Sequence, residues 1–242
     1  MIEDQDRYAR QLSILPLENL ARVRATVVGV GAVGRQVALQ LVTMGVPWIQ
    51  LVDFDTVEAS NLASQGYWDQ DLGRLKTNAT SDVMKLINQS MPVFDITPDN
   101  GCLNSERVMQ ETDRGIFIQS TKFKKSSPRG DHIFCCVDGI ETRKFIWEAV
   151  KNSVRFYADS RMAASVLRVL SVTLDNGGRS YYPTTFFAQA DALPQPCTAK
   201  TTIYCANVIA GLLVSQFANF LRGIPVEKEL GANLLTQEFE VK

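Results

Sequence analysis

Residues 26–65 read TVVGVGAVGRQVALQLVTMGVPWIQLVDFDTVEASNLASQ, and few folds accommodate such a stretch. An apolar run ends at Gly29, and Gly31 and Gly34 follow. A helical pattern (Val37, Leu39, Leu41, Val42) leads to a second apolar run, Trp48, Ile49, Leu51 and Val52, which stops at Asp53. The order is strand, glycine turn, helix, strand, acid. In such a unit the first glycine allows a tight turn, the second lets backbone approach a phosphate, and the third permits close helix-to-strand packing. The phosphate lies on the helix N-terminus, where free N–H groups and the helix dipole favour an anion. Asp53 falls about twenty residues past the last glycine, where a carboxylate accepts hydrogen bonds from ribose hydroxyls.

A length of 242 residues, 45% hydrophobic content and a formal charge of −1 suit one soluble α/β domain of generous size, or one domain with an extension, and disfavour a nucleic-acid binder. Met1 to Leu15 has no apolar core of signal-peptide length. Ala206 to Leu221 is strongly apolar but interrupted by Asn207, Ser215, Gln216 and Asn219, which reads as a buried helix rather than a membrane span. The expected location is cytoplasmic. Five cysteines without a C-x-x-C pair, and His132 as the single histidine, leave no material for a tetrahedral zinc site and argue for reduced thiols. His132 precedes an apolar strand and reads as a strand-entry residue.

Asp6 to Leu12 has helical spacing, with Tyr8, Leu12 and Leu15 on one face. The polar loop after Asp53 leaves the carboxyl end of a strand, the edge where open α/β sheets bind ligands, so topology places Asp55, Asn61 and Gln65 for function. A helix opening at Lys76 and running to about Gln89 puts a lysine where the helix N-terminus is already positive. An anionic ligand would supply the reason for it. Val93 to Ile96 reads as a third strand and Ser105 to Glu111 as a short helix, followed by a lysine-rich stretch over 112–130 that is a surface loop or a docking arm. Ile133 to Val137 is a buried strand ending in Asp138, and a helix follows from Glu141 to about Asn152. Val154 to Asp159 and Val166 to Leu174 read as strands joined by 159–164; Asn176-Gly177-Gly178 makes a turn, and Tyr181 to Gln195 a crossover.

Together these residues resemble the ThiF/MoeB family, the ATP-dependent activating enzymes of ubiquitin-like and sulfur-carrier proteins. The match comprises Arg7-Tyr8-x-Arg10-Gln11, Gly29-x-Gly31-x-x-Gly34, Asp53-Phe54-Asp55-x-Val57-x-x-Ser60-Asn61-Leu62, Lys76 and Cys136-Val137-Asp138, with a weaker continuation to about residue 222. The resemblance implies that Asp53 holds the ATP ribose and that Asn61 and Lys76 contact phosphates. It further implies that Asp138 holds Mg2+ and that Arg10 reaches the nucleotide of the other subunit in a homodimer. It places Cys197 where some members form a thioester or persulfide, although others need no catalytic cysteine. This chain departs from the family pattern in having Ser64 where an arginine is usual, in lacking paired C-x-x-C motifs, and in a longer segment between Cys102 and Asp138. Arg35, Arg74 or a partner's arginine are the candidates to replace the missing one.

The resulting expectation is a single Rossmann-like α/β domain over 1–242, with a mainly parallel central sheet, helices on both faces, further strands and a crossover. The nucleotide part spans about 20–150 and the carrier-binding part about 151–222. The expected activity is adenylation of the C-terminal carboxylate of a small ubiquitin-like or sulfur-carrier protein ending in glycine. A catalytically silent partner subunit and an NAD-dependent oxidoreductase are the alternatives.

Overall fold

The structure is a computed structural model that describes residues 7–89, 93–96, 131–187 and 202–242. The helix expected at 105–111, the stretch over 112–130 and Cys197 lie outside these residues. A short helix, α1 (Leu17–Leu20), leads into β1 (Ala25–Val28), α2 (Ala32–Met44) and β2 (Ile49–Val52). Then come α3 (Ala59–Gln65), α4 (Lys76–Ile87), β3 (Val93–Ile96), β4 (His132–Cys135) and α5 (Ile140–Val150). The remainder comprises β5 (Phe156–Ala163), β6 (Val166–Val172), α6 (Gly178–Tyr181), α7 (Ile203–Leu221), β7 (Glu229–Asn233) and β8 (Glu238–Val241).

The eight strands of the described residues form one sheet in the order β3-β2-β1-β4-β5-β6-β7-β8. The first five pair in parallel, and β6, β7 and β8 add antiparallel. β1, β2 and β4 are buried along their whole length, as parallel strands covered on both faces must be. Period-two alternation splits their side chains. Val27, Leu51, Phe134 and Phe156 pack with α2 and α7, whereas Val28, Val52, Cys135 and Tyr157 pack with Trp147 and Val150 of α5.

α7 is long and apolar enough to cross a membrane by length and composition, but Cys205, Ala206, Ile209, Ala210, Leu213 and Phe217 are buried in the core under β5 and β6. It is the interior helix that its interrupting polar residues imply.

Three expectations need correction. The helix expected over 6–12 is helical at Arg7 and Tyr8 only, and residues 9–14 form a turn; side chains of this segment close the ends of other helices. Arg7 donates to the Ile87 carbonyl (2.7 Å) and Gln11 to the Met44 carbonyl (2.7 Å), satisfying last-turn acceptors of α4 and α2. Tyr8 is buried against Gly45, where a Cβ would come within 2.8 Å of its ring. Residues 159–163 are not a connection, because β5 continues to Ala163 and turns into β6 through Ala164 at φ +51°. β4 stops at Cys135, two residues earlier than its apolar run; Cys136 N still donates to Val28 O (2.7 Å), but the Cys136–Val137 peptide then lies over the glycine turn.

The last hairpin is tied down by one carboxylate. Glu229 is 6% exposed, and it accepts hydrogen bonds from Arg168 (2.8 Å), Lys242 (3.1 Å) and the Tyr181 hydroxyl. Burial alone would raise its pKa, but these donors outweigh it and hold the group down at about 2. A depressed carboxylate adds stability that is present above its unfolded pKa, about 4.3, and is lost as pH falls towards the folded value. Glu229→Gln should therefore cost about 1–3 kcal/mol near neutral pH. It should also flatten the loss of melting temperature of wild-type protein between pH 4.5 and 2, a difference that thermal melts over that range will show.

Candidate active site

The carboxyl ends of β1, β2 and β4 bring the glycine turn, Asp53 and the segment leading to Asp138 to one edge, while Arg10 stands apart in the N-terminal turn. Gly29 takes φ +84°, open to glycine at low cost, and a Cβ there would meet the Cys136 carbonyl at 2.8 Å. Gly34, in the first turn of α2, leaves no room at all, since its Cβ would lie 1.8 Å from the Gly29 oxygen. Gly31 is the N-cap of α2 and is open by contrast, the nearest atom to an added Cβ being Gln65 Oε1 at 3.8 Å. The first intrahelical bond of α2 runs from Arg35 N to Gly31 O. The N–H groups ahead of Arg35 thus have no partner within the helix and face the glycine turn as anion donors.

Val30, at the centre of the turn, is clamped from both sides. Its N–H donates to Asp53 Oδ2 (2.5 Å), and its carbonyl accepts from the Tyr67 hydroxyl (2.6 Å). Asp53 also accepts from the Asp55 N–H at Oδ1 (2.8 Å), so both carboxylate oxygens are anchored and each retains a lone pair. Burial raises the Asp53 pKa, and the two backbone donors and nearby Lys76 offset part of that rise. Tyr67 carries no motif signal. Only the fold shows it buried beneath the turn, its phenol pushed up by desolvation and its ring under Arg35 at 4.4 Å.

Lys76 is the first residue of α4, and the chain around it is stitched to the loop after β2. Lys76 N donates to Asp55 O (2.9 Å) and Val57 N to Arg74 O (2.8 Å). Its side chain is 8% exposed and its Nζ lies 2.8 Å from Asp55 Oδ2, a carboxylate that is itself half exposed. A buried ammonium is therefore carried to the site edge with a solvated partner. Asn61, expected in a loop, stands in α3, where its Oδ1 accepts from Glu58 N (3.0 Å) as half of a reciprocal cap. Gln65 closes α3, and its Oε1 is buried beside Gly31 without a hydrogen-bond partner.

Asp138 is exposed between the end of β4 and α5 and follows the Cys136–Val137 peptide that covers Gly29. Arg10 is exposed in the N-terminal turn. Ser64 donates to the Ser60 carbonyl (2.9 Å). The two in-chain candidates for the missing arginine have other employment. Arg35 is 2% exposed and donates to Gly66 O and Thr80 Oγ1, while Arg74 pairs with Asp71 (3.0 Å) and Asp82. Burial pushes the Cys136 thiol up to about 12, and Cys135 and Cys205 are core residues. His132 is buried at strand entry, with Nδ1 2.7 Å from Asp131.

Residues 7–241 match the ThiF family. A ubiquitin-like modifier-activating enzyme 5 of Oryza sativa subsp. japonica is 27% identical over 261 residues, covering 98% of this chain and 59% of that protein. The molybdopterin-synthase adenylyltransferase of Salmonella typhimurium is 34% identical over 113 residues, or 43% of this chain and 44% of that protein. This chain therefore spans less than two thirds of the length of the curated relatives it matches. Among solved structures, Escherichia coli MccB with ATP has a TM-score of 0.72 at 16% identity, covering 99% of this chain and 72% of that one. PaaA has the same TM-score at 18% identity, covering 100% and 83%. The glycine turn, Asp53 and Lys76 thus stand in a known architecture, and the chain belongs to the ThiF family.

Proposed function

We propose that this protein is an ATP-dependent adenylyltransferase acting on the C-terminal carboxylate of a small ubiquitin-like or sulfur-carrier protein ending in glycine. The observation that carries the reading is the convergence of the α2 N-terminus, Asp53 and buried Lys76 on one sheet edge. An oxidoreductase built on the same glycine turn has no use for a lysine there.

Asp53 accepts the ribose hydroxyls, the glycine turn cradles phosphate, and Lys76 turns from Asp55 to the triphosphate. A carboxylate oxygen of the carrier attacks the α-phosphorus, the bond to the β-phosphate oxygen breaks, and acyl-adenylate and pyrophosphate result. No side-chain base is required, because a terminal carboxyl with a pKa of about 3.5 is already ionised. The protein's task is positioning and charge neutralisation. Among the described residues no group of three or more His, Cys, Asp and Glu could hold a metal. A lone exposed Asp138 nevertheless fits Mg2+, which takes one or two carboxylates together with substrate phosphates and neutralises their charge. Adenylation needs no thiol, so a covalent role for Cys197 would fall in a later thioester or persulfide step, and a reducible carrier adduct lost in Cys197→Ser is its test. The reading includes a homodimer in which Arg10, exposed in the N-terminal turn, reaches the other subunit's nucleotide, and a single cytoplasmic adenylation domain.

ATP–pyrophosphate exchange with a panel of glycine-terminated carrier proteins tests the reading. Exchange should depend on one carrier class, and Asp138→Asn should abolish it while circular dichroism stays unchanged. Wild-type rates in that variant remove Asp138 from the site. A second reading, a silent partner subunit, has one observation in its favour: Ser64 replaces an arginine while Arg35 and Arg74 are engaged elsewhere. ATP binding without exchange for any carrier would favour it.

A further inference from the structure

Behind the Asp138 loop lies a charged cluster that the adenylation scheme does not use. Asp159 on β5 is completely buried. Its Oδ1 accepts from Arg143 of α5, and its Oδ2 accepts from Arg161 Nε (2.9 Å) and the Tyr182 hydroxyl (2.9 Å). Each arginine also donates to a backbone carbonyl. Arg143 donates its other terminal nitrogen to the Val137 carbonyl, one residue before Asp138. Arg161 donates to the Thr185 carbonyl (2.7 Å) and to Thr185 Oγ1 (2.9 Å). The two guanidinium side chains are only 7% and 12% exposed. Burial lowers the Arg161 pKa, with the neighbouring tyrosines opposing it.

A buried ion cluster is poor evidence of stabilisation, since apolar residues of the same volume do as well or better. What such a cluster supplies is geometry. A guanidinium is a rigid planar fork, and when one arm is fixed on a carboxylate the other arm's direction is fixed too. The Val137 carbonyl is therefore set by Asp159, 22 residues further along the chain, through Arg143. We infer that Asp159 and Arg143 are positioning residues that hold the Val137–Gly139 loop, and with it Asp138, against the glycine turn; this role rests on the adenylyltransferase reading. Arg161 and Tyr182 occupy the second oxygen of Asp159 and keep it from swinging.

The inference separates the metal side of the site from the ribose side. AMP bound without metal draws on Asp53 and the glycine turn, whereas a metal–ATP complex draws also on Asp138. Arg143→Lys keeps a cation for Asp159 but has no second arm for Val137, and Asp159→Asn removes the charge that anchors both arginines. The test compares calorimetric binding of AMP in EDTA with binding of MnATP, together with amide hydrogen exchange over residues 136–139 and 183–187. In Arg143→Lys, MnATP should weaken at least tenfold while AMP stays within twofold, and exchange should rise at 136–139 alone. Arg161→Lys should raise exchange at 183–187. Asp159→Asn should raise it at both. If Asp159→Asn does not fold, the two lysine variants carry the comparison. Equal weakening of AMP and MnATP in Arg143→Lys, or unchanged exchange at 136–139, overturns the positioning role. Wild-type protein that binds neither nucleotide overturns the adenylyltransferase reading, while the exchange pattern still decides whether Arg143 holds the loop.

Discussion

Gly34→Ala should leave little folded protein, whereas Gly31→Ala, three residues away in the same motif, should fold normally and lose its nucleotide. The Cβ of an alanine at 34 would lie 1.8 Å from the Gly29 oxygen and 2.9 Å from its carbonyl carbon. Overpacking costs about 1–3 kcal/mol when side chains can shift. Here the neighbour is backbone inside the turn, so no rotamer relieves the clash and the cost exceeds that range. Since a domain of this size loses about 2–4 °C per kcal/mol, the melting temperature should fall by more than about 10 °C, or the protein should be insoluble. At Gly31 the nearest atom to an added methyl is 3.8 Å away and φ is −81°, outside the left-handed region that favours glycine. The methyl instead occupies space over the α2 N-terminus where a phosphate must approach. Melts within about 2 °C of wild type together with at least a tenfold loss of ATP affinity are expected. A Gly34→Ala protein as stable as wild type, or a Gly31→Ala protein with full affinity, would contradict the assignment of the two glycines.

The second large effect is expected at Lys76, and its sign on stability is the informative part. Lys76→Met keeps the buried stem and removes the charge. The ion pair lost is with a half-exposed carboxylate that water can solvate, so it is worth about 0–1 kcal/mol. Removing a cation from the first turn of α4 returns about 0.3–1 kcal/mol, because the helix N-terminus is already positive. The variant should melt within a few degrees of wild type, with a gain as acceptable as a loss. Pyrophosphate exchange should meanwhile fall by about 10²–10³, the usual effect of removing one group that stabilises transition-state charge. A residue that folding hardly needs, and chemistry cannot spare, is what its place at a helix start implies. Comparable losses of stability and activity would make Lys76 a structural residue.

The local unit from Val27 to Asp53 was legible because its determinants are near in sequence. A run of β-branched residues, glycines where no Cβ fits, a 3.6-residue period and a terminal acid each act over a few positions. Lys76 was legible for the same kind of reason, as a cation at the wrong end of a helix. The apolar run through Val137 misled because hydrophobicity reports burial and not pairing. Cys136 still donates to Val28 O (2.7 Å), but its carbonyl and the Val137 N–H cover Gly29, a contact more than a hundred residues away along the chain. Residues 159–163 misled in the opposite sense, since Asp159, Ser160 and Arg161 look like a polar connection until Arg143 and Tyr182 are brought to them.

What the sequence determined by itself was therefore the glycine turn and the parallel strands beside it, which local sterics and periodicity encode; Asp53, Lys76 and Asp138 were legible as candidates from their places at strand ends and a helix start. Tertiary structure alone decided that Tyr67 closes the turn from below, that Arg35 and Arg74 are engaged elsewhere, and that β7 and β8 extend the sheet. It alone decided, too, that Asp159 joins two arginines behind the Asp138 loop. A buried polar group is tolerated only where partners satisfy it, and those partners come from strands and helices that only the folded chain brings together.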